Sequence, residues 1–61
     1  MKNERMAAWA VKKADAVKAR IDALPRATDW RERQRIAQTA DRLRRDESRL
    51  RAMAERYRSA A

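Results

Sequence analysis

The chain has no cysteine, no histidine and no glycine. Without cysteine it forms no disulfide and no thiolate metal site. Without histidine it lacks the commonest metal ligand and the commonest proton shuttle at neutral pH. Without glycine it cannot build a phosphate-cradling loop of the Walker or dinucleotide-binding type. Carboxylates and arginines alone would have to carry any catalysis. The chain therefore reads as a non-enzymatic protein with no cofactor, no metal and no small-molecule substrate. Long apolar runs are also missing. The longest uncharged stretch near the start, MAAWAV from Met6 to Val11, is too short for a membrane span or a signal-peptide core. Glu4, Asp15 and Asp22 speak against a mitochondrial presequence, which is acid-poor. A soluble, cytoplasmic protein is expected.

What is present is charge and helix formers. Seventeen Lys and Arg residues against nine Asp and Glu give a net charge of +8 in 61 residues. Such a surplus favours an anionic partner, whether nucleic acid, an acidic protein surface or a lipid head group. Most of the cations are arginine, whose planar fork fits phosphate and carboxylate better than the lysine point charge does. A chain this short makes one small domain and usually needs a staple or a partner.

Pro25 is the single strong helix breaker, and the residue before a proline is pushed out of the helical region. The sequence predicts an all-α antiparallel helical hairpin with helices over about 3–24 and 29–59 and a short loop at 25–28. Thr28 or Asp29 can cap the second helix, and Asp29 with Glu32 is a variant of the capping box. At 1.5 Å per residue the two helices measure roughly 32 Å and 46 Å. No motif in the chain marks it as a member of a family.

Each helix carries an apolar seam. Ala7, Ala10, Ala14, Val17, Ile21 and Leu24 step alternately by three and four. So do Ile36, Ala40, Leu43, Glu47, Leu50, Ala54, Tyr57 and Ala61. This is the a/d pattern of a left-handed helical pair. With a short loop, Val17 meets Ile36, Ala14 meets Ala40, Ala10 meets Leu43 and Asn3 meets Leu50. Flanking charges agree, with Arg20 near Glu32 and Glu4 near Arg51. Sliding by one heptad also aligns the seams, but it sets Lys18 beside Arg44 and needs a longer loop. The short connection is preferred because short helix–helix loops are the norm. It leaves Met53, Ala54 and Tyr57 overhanging. That greasy overhang and the small area buried by an alanine-lined lone hairpin favour a homodimer, most simply a four-helix bundle. Leu43, Glu47, Leu50 and Ala54 would line its seam.

Three features bear on function. Arg35, Arg42, Arg49 and Arg56 recur every seven residues, as do Arg44, Arg51 and Arg58 on the shoulder of the seam. The first stripe, with Arg45, Lys12 and Lys13, could track a nucleic-acid backbone. The competing reading is a solvated face paired with itself through Asp41–Arg45, Arg42–Asp46, Glu47–Arg51 and Arg51–Glu55. Glu47 interrupts the seam. It either pairs with an arginine of a second subunit or reaches water opposite Ala7. Trp9 lies off the seam among cations, and Trp30 is expected to cover Ile21 and Leu24 at the loop end. Two functions stay open: a nucleic-acid-binding protein, or a protein-interaction module with Trp9, Met53 and Tyr57 as anchors. The latter would be an adaptor, a regulatory subunit or an inhibitor of phage or plasmid type.

Overall fold

A computed structural model describes the backbone of residues 2–59 and the side chains of residues 3–59. Two helices account for nearly all of it: α1, Lys2–Asp22, and α2, Trp30–Ser59. They pack against each other as a helical hairpin, a flat rod of 49 × 14 × 8 Å. No helix among the described residues is long and apolar enough to cross a membrane.

The ends of the helices follow from local chemistry. At the end of α1 the Ala23 N–H still donates to the Ala19 carbonyl at 3.0 Å. The Leu24 N–H donates to the Ile21 carbonyl at 3.1 Å, three residues back. The final turn thus tightens before Pro25 ends it, as it must where no glycine supplies a left-handed cap. No described residue has positive φ. At the start of α2 the Glu32 N–H donates to Asp29 Oδ1 at 2.8 Å, and the Arg33 N–H donates to the Asp29 carbonyl at 3.0 Å. Asp29 is therefore the N-cap, and its carboxylate satisfies one of the orphan donors of the first turn.

The core is small and made chiefly of alanine. Ala7, Ala10, Ala14, Ala40, Leu43 and Ala54 are buried, with Ala10 and Ala14 at 0% exposure. Val17, Ile21, Leu24, Ile36, Glu47, Leu50 and Tyr57 are half-buried. Every described position of the predicted seam is thus buried or half-buried; Ala61 lies outside the described residues. Alanine lets the two backbones approach closely, while the larger seam residues close only the edges. Among the described residues no large side chain is fully buried.

The register differs from the short-loop expectation. Arg51 Nη2 lies 3.2 Å from Asp15 Oδ1. The short-loop register would set Asp15 opposite Gln38, about 20 Å along the helix axis from Arg51, beyond the reach of any arginine. The helices are slid by a heptad or more toward the longer-loop arrangement, and the connector is 23–29 rather than 25–28. The slide also covers the expected overhang: Ala54 is 2% exposed, and Met53 and Tyr57 are half-buried. Apolar burial along the whole seam outweighs the exposed Arg20–Glu32 and Glu4–Arg51 pairings that favoured the shorter loop, since each surface pair is worth only a few tenths of a kcal/mol. The unpartnered end of α2 is instead its beginning, where the first turns run past the end of α1. Trp30 sits there 64% exposed. It does not cover Ile21 and Leu24 as expected.

Candidate nucleic-acid interface

An antiparallel pair has two unlike flanks. Beside the a and d seam, the e positions of both helices share one flank and the g positions share the other. Arg44, Arg51 and Arg58 occupy e positions of α2, while Asp41 and Glu55 stand next to them at b. Glu4, Asp15 and Asp22 of α1 fall on this same flank. The remaining stripe, Arg35, Arg42, Arg49 and Arg56, occupies c positions toward the opposite flank, with Lys13 and Arg20 across on α1. Most of the acids therefore lie on one side of the hairpin.

The ion pairs follow this division. Arg44 Nη1 reaches Asp41 Oδ1 at 3.5 Å, Arg58 Nη1 reaches Glu55 Oε1 at 3.3 Å, and Arg51 takes Glu47 Oε2 at 2.8 Å as well as Asp15. Every shoulder arginine is neutralised by an acid. Among the described residues, Arg35, Arg42, Arg49 and Arg56 make no ion pair, and all four are exposed. Of the four pairs expected within α2, only Glu47–Arg51 forms. Asp41 takes Arg44 rather than Arg45. Arg51 is already held by two acids, so Glu55 is left to Arg58. Arg42 and Asp46 stay apart.

Glu47 lies at the rim of the seam and makes the i,i+4 pair with Arg51 that its spacing allowed. Its side chain is 20% exposed and pairs with Arg51 of its own helix, which leans back one turn toward the helix N-terminus, the usual lean of a helical side chain. The guanidinium then bridges Glu47 and Asp15, and so ties α2 to α1. Hydrogen bonds to Glu47, and secondarily to Asp15, hold the Arg51 guanidinium still further above its ordinary pKa. A charge at a seam position is tolerated because it is partnered at the rim.

The other predicted residues fall into two groups. Arg45 and Lys12 are exposed on the outer backs of their helices, with Arg45 about 60° round α2 from Arg42. They add to the field without joining the stripe. Lys13 is exposed at a g position facing the stripe. Leu43, Glu47, Leu50 and Ala54, expected to line a dimer, are engaged first by the chain's own other helix. Trp9 is 45% exposed with Met6 beside it at 41%, and the half-buried Met53 belongs to the same g flank.

One cluster is not marked by any heptad stripe. At the free start of α2, a depression of about 380 Å³ is lined by Trp30, Arg31, Gln34, Arg35 and Gln38. A second, of about 290 Å³, is lined by Arg35, Gln38, Thr39 and Arg42. The two share Arg35 and Gln38 and so form one track along the helix surface that leads into the arginine stripe. No acid lines it. The signal in the sequence was the Trp30–Arg31–Gln34–Gln38 spacing, which puts these residues together on the outside of one helix.

No protein-family model, no curated protein and no solved structure matches this chain.

Proposed function

We propose that this protein binds the phosphate backbone of nucleic acid, without catalysis, through Arg35, Arg42, Arg49 and Arg56. The observation that supports this reading is the division of labour among the arginines of α2. The shoulder arginines are all matched by acids, while the outer stripe has none. Asp41 and Glu55 pair with the shoulder arginines, whereas Glu32 and Asp46, which stand at g positions on the flank of the outer stripe, form no ion pair with it. Four unmatched guanidinium groups at intervals of about 10 Å suit a chain of phosphates. Lys13 and Arg20 enlarge the same field, and Arg45 and Lys12 extend it over the back. Each phosphate contact releases counterion, so binding weakens steeply as salt rises.

The test compares the two stripes. Arg42→Gln and Arg49→Gln should each weaken duplex or single-strand binding and lower the salt slope by about one. Arg44→Gln and Arg58→Gln, which remove arginines already paired, should do far less. Equal losses from both stripes, or affinity indifferent to salt, would sink the proposal.

The working form in this reading is a homodimer of two hairpins in a four-helix bundle. Support comes from the thin core: among the described residues no large side chain is fully buried, and Val17, Ile21, Ile36, Leu50 and Tyr57 stay half-buried. Sedimentation at several concentrations decides it, and a single species of monomer mass at every concentration rejects it. One observation favours a second reading, an interaction module docking on an acidic protein surface: Met6 and Trp9 are both exposed on the flank that carries Met53. A stoichiometric complex that survives nuclease and is lost on Trp9→Ala would select that reading.

A further inference from the structure

We propose that the free start of α2 is a base-stacking site for single-stranded nucleic acid, with Trp30 as the platform and Arg35 and Arg42 holding the adjoining phosphates. This rests on the phosphate-binding reading above and adds to it the class of strand. Trp30 is the most exposed large apolar residue in the described chain, at 64%. A tryptophan that served the hairpin would be covered, and α1 ends before it can cover this one. The Arg31 guanidinium lies 6.0 Å from the ring centroid, close enough for a cation–π contact. That contact occupies one face of the indole and leaves the other to a partner.

The surroundings suit a nucleotide. The depression around Trp30 contributes two glutamines, Gln34 and Gln38, whose amides both donate and accept and can meet a base edge or a sugar hydroxyl. It shares Arg35 and Gln38 with the neighbouring depression, which Thr39 and Arg42 also line. A base on the indole would therefore place its phosphates toward two unpaired arginines, with no acid lining the path to repel them. A flat aromatic surface beside a cationic track is the combination that binds single strands with little sequence preference. A duplex keeps its bases stacked on each other and offers none to the indole, so the site discriminates in favour of the single strand.

The experiment uses the full chain and two strands of equal phosphate number, an oligothymidylate and an abasic oligonucleotide. In a Trp9→Phe background Trp30 is the sole indole. Its fluorescence should be quenched by the oligothymidylate and not by the abasic strand. Trp30→Ala should lower affinity for the oligothymidylate about 5- to 150-fold, the range of one lost stacking contact, and leave the abasic strand unaffected. Circular dichroism should show the helices intact, because alanine is a better helix former than tryptophan at an exposed position. Equal affinity for the two strands, or an affinity for oligothymidylate that survives Trp30→Ala, overturns the stacking site alone. Failure of both strands to bind even at low salt overturns the stacking site together with the phosphate reading beneath it.

Discussion

Replacing Leu43 by alanine tests the account of the core most directly. Leu43 is 7% exposed and is the one large side chain in a buried set otherwise made of alanines. Leu→Ala in a core costs about 2–5 kcal/mol, partly in lost transfer energy and partly in the cavity that remains. A two-helix seam is open along both edges, so water and neighbouring side chains can relax into the gap. The lower part of that range, about 2–3 kcal/mol, is expected. Native stability of roughly 0.05–0.15 kcal/mol per residue gives a chain of this length about 3–9 kcal/mol in total. The substitution should therefore remove from about a fifth of it to nearly all of it. In a domain this small each kcal/mol moves the melting point by about 4–8 °C, so Tm should fall by about 10–20 °C. Trp30→Ala is the control. Tryptophan is the larger side chain, but at 64% exposure its loss should change stability by less than about 0.5 kcal/mol. Both variants are melted by far-UV circular dichroism at one protein concentration, because association would make Tm concentration-dependent. A greater loss from Trp30→Ala than from Leu43→Ala would mean that the indole is the anchor and the seam is not the core.

Further outcomes follow from the same structure. Ala14→Leu puts a residue favoured at heptad core positions into a site of 0% exposure. It should destabilise by about 1–3 kcal/mol through overpacking, read as a lower urea midpoint with an unchanged slope. Asp29→Ala removes the acceptor of the Glu32 N–H and should cost about 1 kcal/mol, with Asp29→Asn recovering most of it. Asp15→Asn and Arg51→Gln should be coupled in a double-mutant cycle, since the two side chains meet across the helices at 3.2 Å. The coupling should fade as salt rises; no coupling at low salt would reject the register described above. Arg42→Gln should reduce nucleic-acid affinity in a salt-dependent way, and Arg44→Gln should reduce it far less.

The helices and their limits were legible in the sequence because each limit is a local event. Pro25 restrains Leu24, and Asp29 caps the helix that begins at Trp30, without help from distant residues. The seam was legible for the same reason, since a three-four alternation can be counted on one helix at a time. Two arginine stripes could also be counted, but counting could not say which was free. Arg51 faces candidate partners at Glu47 and Glu55 by spacing alone, and it was Asp15, far away in the chain, that completed its shell.

Sequence by itself therefore determined that the chain is two helices with an apolar stripe on each, and that its charge is strongly positive. Tertiary structure alone decided the slide between the stripes. Heptads repeat, so several registers align equally well, and the choice falls to the burial of Ala54, Met53 and Tyr57 against α1. That slide set the surface on which the proposed function rests. It covered the end of α2 expected to be bare, bared the end expected to be covered, and left Trp30 in solvent at the head of an arginine track.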